Sequence, residues 1–464
     1  MNIGQNHSRR AFLQSAALLG CTGAAAPLAS SLGLIGEAAS AAATSDYKAL
    51  VCVFLYGGND YANTLPPYDA ASYNKYLAAR PSLALHHDAL TATALRPDND
   101  LGGRQYALNP AMSPMLDLFD AGVLAPVLNI GNLVQPITKQ QYLNRSALVP
   151  PKLFSHNDQA SFMQASQPEG ADSGWGGRMG DLVRGSNGTA ALTSISVNGN
   201  ALFLSGQNTT PFTVSPGKIQ EMLYGNKSVY GSHGCYQAFR QLITQQSGCF
   251  FAQEYGKVAS RTLEVGEAVA KALESMPEEG FTTFPAGDDG LAAQLKMAAR
   301  LIAVGPSLGL KRQVFFVGMG GWDTHNGLAD KHPKLLAALA RALRSFYQAT
   351  VQLGVERNVT TFTASDFGRT LGENNDGSDH GWGGMQFVLG GDVAGRAIYG
   401  KPPEVGLGTN DDVDAGRLIP TTSQDQLAAT LASWFGVGAG DLPSVMPNLR
   451  YYDQSAWNMG LFKA

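Results

Sequence analysis

Three times in this chain a short apolar run stops at a glycine-rich segment carrying Asp, or Asp with His. Ala49 to Tyr56 ends in Gly57-Gly58-Asn59-Asp60. Gln313 to Val317 ends in Gly318 to Gly327, with Asp323 and His325. Val359 to Thr363 leads into Asp366 to Gly384, with Asp379 and His380. Runs of five to eight apolar, β-branched residues without alternation suit central strands buried on both faces. Such strands belong to parallel sheets crossed by helices, and in open α/β sheets the loops after the strands carry the ligands. The expected fold class is therefore α/β. The three loops are expected to meet in one pocket.

The intervening chain fits. Ala111 to Ala121 and Leu124 to Ile130 read as helix then strand. Thr193 to Val197 reads as a strand, with Leu202 to Leu204 as a short partner. Residues 205–235, rich in Gly, Ser and Thr, are expected to hold short antiparallel strands. Helical patterns cover Tyr236 to Met276, Leu291 to Ile302, Leu335 to Leu353 and Gln424 to Phe435. The 464 residues are read as a leader over 1–43 and one large domain over 44–464, with an insertion around 198–290. Low charge (15%) and 54 glycines favour ordered loops over disorder. A net charge of −4 gives no basic excess for nucleic acid.

Ser8-Arg9-Arg10-Ala11-Phe12-Leu13, an apolar stretch and Ala39-Ser40-Ala41 form a twin-arginine export signal with a cleavage site. The expected location is periplasmic or otherwise exported, with no stable membrane span after the leader. Cys52 is expected to be a buried thiol, and Cys235 with Cys249 a disulfide pair suited to an exported protein.

Carboxylate and imidazole mixtures suit a divalent ion, whether Zn²⁺, Mn²⁺, Mg²⁺ or Ca²⁺. The candidate ligands are Asp60, Asp323, His325, Asp366, Asp379 and His380. One of Asp379 and His380 could instead orient a ligand from behind. The candidate catalytic residues are Thr64 and Ser155 as hydroxyl nucleophiles, His156, which like Asp158 could complete the site, and Arg369 facing an anionic substrate, with Arg178 as a lesser alternative. Ser365 is a third hydroxyl. The chain has no G-x-S-x-G elbow and no phosphate-cradling or dinucleotide motif.

The leader, Gly57-Gly58-Asn59-Asp60, Ser155-His156 with Asp158, Asp172 to Arg178, Gly321-Trp322-Asp323-Thr324-His325, Ser365 to Thr370 and Asp379-His380-Gly381 together resemble the exported DUF1501 family. That family looks like a distant branch of the alkaline phosphatase and sulfatase superfamily. The resemblance implies an alkaline-phosphatase-like mixed, mostly parallel sheet with helices on both faces and loop and strand insertions. It implies metal ligands at strand ends, with Asp60 as the first-strand aspartate. It also implies an exported DUF1800-family partner. Asp366 stands where many relatives carry Glu, and Asn109 where many carry His. No C-x-P-x-R maturation motif follows the first strand. The expected activity is metal-dependent hydrolysis of phosphate or sulfate esters on a small or polymeric anionic substrate. The alternative is a non-catalytic periplasmic binding or assembly protein that keeps the fold.

Overall fold

The computed structural model describes residues 47–216, 227–246, 248–277, 280–285 and 290–463; the expected leader, residues 1–43, lies outside them. The fold is built on one eight-stranded sheet of order β4-β3-β5-β1-β6-β7-β2-β8. The strands are β1 (Lys48–Leu55), β2 (Leu124–Gly131), β3 (Ser194–Ser196), β4 (Phe212–Thr213), β5 (Arg312–Met319), β6 (Val359–Ser365), β7 (Gly384–Leu389) and β8 (Thr422–Ser423). Every pairing is parallel except those of β7 with β6 and with β2, so β7 alone runs against the rest.

Among the described residues, eight helices have nine residues or more: α1 (Ala70–Ala79), α2 (His156–Ala165), α3 (Trp175–Val183), α4 (His233–Thr244), α5 (Phe250–Leu273), α6 (Gly290–Val304), α7 (Leu328–Gln352) and α8 (Gln424–Phe435). They cover both faces of the sheet, as the alternation along β1 shows. Ala49, Val51, Val53 and Leu55 pack with α6 and α7 through Leu295, Leu336, Leu343 and Phe346. Leu50, Cys52 and Phe54 pack with α3 and α8 through Met179, Leu427 and Leu431. A strand apolar on both pleats can only sit between two such layers.

Register sets up the functional edge. Leu55 of β1 lies opposite Met319 of β5 and Ser365 of β6. The three central strands therefore end level, and their loops leave from one edge. Because β7 is reversed, it starts at that edge, which returns the 366–383 loop to its origin. Asn59 bridges to Gly368, and Arg369 to His380.

Several expectations change. Leu202–Leu204 is a 3₁₀ turn, and β4 pairs parallel with β3, not antiparallel. Helix α7 begins at Leu328, seven residues early, and runs on through Pro333 inside it. Residues 110–120 are a 3₁₀ helix followed by a short α-helix.

Cys52 is a buried free thiol, but Cys235 and Cys249 are free and exposed. Helices α4 and α5 form an antiparallel hairpin. Arg240 pairs with Glu267, and Gly256 backs onto the Gln245 carbonyl. Cys235 opens α4 at the far end of the hairpin, while Cys249 opens α5 at the turn. Nine helical steps from Cys235 to Thr244 rise about 14 Å. A disulfide needs Cα atoms within about 7 Å.

Candidate metal centre

The site begins with two close backbone approaches. Gly57 has φ +119°, and a Cβ there would lie 2.3 Å from the Asp323 nitrogen. At Gly377 a Cβ would lie 2.3 Å from the Thr324 oxygen. Glycine at both positions lets the β1 and 366–383 loops press against the Asp323-Thr324-His325 turn.

Into this edge the chain sends three imidazoles. His156 is the first residue of α2, and the other two come from the β5 loop (His325) and the return loop (His380). Each has its Nδ1 against an acceptor. His156 Nδ1 is 2.6 Å from Asp366 Oδ2, His325 Nδ1 is 3.1 Å from Asp379 Oδ1, and His380 Nδ1 is 2.7 Å from the Phe154 carbonyl. A carbonyl or carboxylate oxygen there requires Nδ1–H, so each neutral ring turns an Nε2 lone pair inward. All three Nε2 atoms converge on Asp323 Oδ1, at 3.5 Å from His156, 3.1 Å from His325 and 3.5 Å from His380. The Nε2 atoms of His325 and His380 are 2.8 Å apart.

Such a set has acceptors facing acceptors, and only a proton or a cation at the centre relieves it. The Asp366 hydrogen bond, working against burial, raises the His156 pKa, while burial lowers that of His380. Burial opposes the charge on Asp323, but the hydrogen bond and charge of Arg369 outweigh it and hold the carboxylate below its usual range. His156 Nε2 is buried without a hydrogen-bond partner. An anionic oxygen with converging imidazole nitrogens fits a divalent ion, and His156, Asp323 and His380 offer ligand atoms within 4.8 Å of one another. His325 stands ready as a fourth. Nitrogen-rich ligation favours Zn²⁺ or Mn²⁺ over Mg²⁺ or Ca²⁺, which prefer oxygen. The site is open, since the side chains of Asp323 and His325 are 46% and 40% exposed.

The other sequence candidates stand elsewhere. Asp366 and Asp379 sit behind imidazoles and orient them. Asp366 Oδ2 also accepts from Gly57 N, and its Oδ1 is buried without a partner. Asp60 is not among the converging atoms, which corrects its assignment as a ligand. Both its oxygens accept from Arg80 Nη1, at 3.0 and 2.7 Å, and both residues are fully buried.

Arg369 does not face a substrate. It is buried and donates to Gly57 O, to Ser378 O and Oγ, and to Asp323 Oδ1 at 2.9 Å, so it fixes the ligand carboxylate. Arg178 likewise donates to the Val445, Ser173 and Ala165 carbonyls. Thr64 is buried, its hydroxyl lying 2.8 Å from the Asp60 carbonyl and 2.9 Å from Asn59 Oδ1. Ser155 donates to Asp158 at 3.0 Å, and Ser365 to the Leu55 carbonyl at 2.7 Å. None of these hydroxyls is a free nucleophile.

Sequence reasoning missed His332, Arg80 and the Phe154 carbonyl. His332, on α7, is buried with Nε2 3.1 Å from Asn59 Oδ1, and burial lowers its pKa to about 4. It lies four residues before Leu336, at the head of the buried stripe Leu336, Leu339, Leu343. That spacing was the available signal.

A family model described as "Protein of unknown function (DUF1501)" matches residues 47–441. No curated protein matches. Among solved structures the chain is similar to one titled "Crystal structure of Ps i-CgsB in complex with k-i-k-neocarrahexaose". The two share 11% identity at a TM-score of 0.35, over 87% of this chain and 77% of that one. A likeness that shallow bears on neither the site nor its chemistry.

Proposed function

We propose, for a chain that belongs to the DUF1501 family, whose description assigns it no activity, a metal-dependent hydrolase of phosphate or sulfate esters. The observation that carries the reading is the convergence of three imidazole Nε2 atoms on Asp323 Oδ1, each ring held by an acceptor at Nδ1. His156, Asp323 and His380 would hold the ion, with His325 beside them. A Zn²⁺ or Mn²⁺ ion bound there supplies Lewis acidity to an ester oxygen and to water. With Thr64, Ser155 and Ser365 all engaged, the attacking group is water and not a protein hydroxyl. Asp366 and Asp379 hold the protons on His156 and His325, Arg369 holds Asp323, and the exposed Asp323 and His325 side chains leave the centre open to solvent. His325, the more exposed imidazole, is the candidate for moving a proton.

The alkaline-phosphatase-like relation and export through the twin-arginine route belong to the same proposal. Ligands at level strand ends of a mixed, mostly parallel sheet support the first. The Ser8 to Leu13 motif supports the second. No helix among the described residues is long and apolar enough to cross a membrane.

Metal analysis of the purified protein, followed by assays with p-nitrophenyl phosphate and p-nitrophenyl sulfate, tests the reading. About one equivalent of Zn²⁺ or Mn²⁺ and ion-dependent turnover are expected. A folded protein that takes up neither ion overturns it.

One observation favours a second reading, a binding or assembly protein. Large apolar side chains stand exposed along one stretch, including Tyr230 (97%), Phe250, Phe251 (82%) and Tyr255. This is the surface an exported DUF1800-family partner would use. Stable co-purification, unaffected by Asp323→Ala and His380→Ala, would support it over catalysis.

A further inference from the structure

A cavity of about 380 Å³ lies away from the metal centre, between the chain leading into β3, the start of β4 and helix α5. Its walls come from residues 184–191 and 208–212, which lead into the N-terminal ends of parallel strands, and from α5. The metal centre lies beyond the C-terminal ends of β1, β5 and β6. The cavity is therefore at the opposite edge of the sheet and shares no residue with the candidate centre.

Its lining is chemically selective. Among the described residues, its lining includes Arg184 and Arg261 and no Asp or Glu. Asp181, the nearby carboxylate, accepts from the backbone nitrogens of Gln207, Asn208 and Thr209 at 2.6 to 3.0 Å, so its charge is directed into that loop. Arg184 donates to the Asn208 carbonyl at 2.6 Å, which fixes it in the wall. Arg261 is exposed on α5, and no carboxylate among the described residues pairs with it. Thr189, Thr210 and Thr262 add hydroxyls, while Phe212 and Val265 add an apolar side. Cavities of roughly 300–1,000 Å³ with apolar walls and a few placed polar groups are typical of small-ligand sites. The Arg261 guanidinium, which no described carboxylate engages, favours an oxyanion.

We propose that this cavity binds a small organic oxyanion, meaning a carboxylate, phosphonate, phosphate or sulfate group on a body with one apolar face. The anionic group sits at Arg261 and the apolar face against Phe212 and Val265. The cavity is a binding site separate from the metal centre, and its existence does not depend on the hydrolase reading.

Phenylphosphonate and benzoate, neither of them an ester, are titrated into the chelator-treated full chain by calorimetry. Saturable binding of at least one probe is expected. Arg261→Ala should weaken it roughly 10- to 100-fold, the range for losing one charge-assisted hydrogen bond. Arg261→Lys should restore part of it. His156→Ala and His380→Ala should leave it unchanged, which separates the failure of this site from failure of the hydrolase reading. The proposal is overturned if neither probe saturates, if Arg261→Ala binds as tightly as the parent, or if the histidine variants abolish binding.

Discussion

Replacing Asp60 by Asn separates two roles that its sequence context does not distinguish. Were Asp60 a ligand, the variant would lose the ion and keep most of its stability. The observed contacts predict the reverse. Arg80 is fully buried, and apart from Asp60 its acceptors are neutral: the Leu371 and Thr370 carbonyls and Asn63 Oδ1. Asparagine preserves the cap on Ala62 N, since its amide oxygen can accept as the carboxylate does. The charge is removed and the Oδ2 acceptor becomes an NH2 donor facing Arg80 Nη1, leaving a buried guanidinium without its counter-ion. Breaking such a pair from one side costs about 3–5 kcal/mol. At ~2.1 cal/mol/K per residue, a chain of 464 residues unfolds with an entropy of ~1 kcal/mol/K, so that cost moves the thermal midpoint by only about 3–5 °C. Urea denaturation is therefore the sharper assay, paired with metal analysis of the folded fraction. The double variant Asp60→Leu with Arg80→Met should regain much of the loss, because a buried pair exchanged for apolar groups is often neutral or better. Loss of the ion with a stability change under about 1 kcal/mol would refute the assignment, as would a double variant less stable than Asp60→Asn.

Asp366→Asn should lower metal affinity about 10- to 100-fold, as for other groups that orient a ligand imidazole, because its amide can turn a donor toward His156 Nδ1 and put the ring proton on Nε2; competition against a metal-sensitive dye checks this. His332 should make the protein acid-sensitive. With its folded pKa near 4 against about 6.5 unfolded, stability is full above pH 6.5 and falls as pH drops toward 4, by about 3 kcal/mol in all; urea midpoints across that range should lose this slope in His332→Gln. Gly57→Ala should cost roughly 1–3 kcal/mol in backbone strain alone and also displace Asp323, lowering metal uptake. Gly102→Ala, at φ +64° with open space around it, should leave metal uptake intact, and metal analysis of the two variants distinguishes the cases.

The central strands were readable because a strand covered on both faces is largely apolar or β-branched: β1 and β5 carry apolar runs, and β6 reads through Val359, Phe362 and its threonines. Their adjacency was not readable, since no local pattern encodes which strand lies beside which. The level strand ends follow from register, which is set by packing across hundreds of residues. Asp60 and Asp323 look alike, each following an apolar run and a glycine pair. They differ only because Arg80, twenty residues beyond Asp60, turns inward at the end of α1. His156 could be read only as a residue able to complete the site, because its place depends on the docking of α2 against the strand edge. Asp366 stands behind it for the same reason. The helix α4–α5 hairpin shows the limit of spacing arguments, since fourteen residues between Cys235 and Cys249 say nothing about which end of a helix each occupies.

The converging groups are drawn from chain segments at 156, 323–325 and 366–380, held together by a glycine at 57. In an unfolded polymer they are far apart, and no short stretch among them could grip an ion. An ion held there as proposed would load only after completion of the sheet, as a ligand of the finished fold that adds stability by mass action. Stripping it should leave the architecture standing, unlike a zinc finger, which loses its shape with its metal.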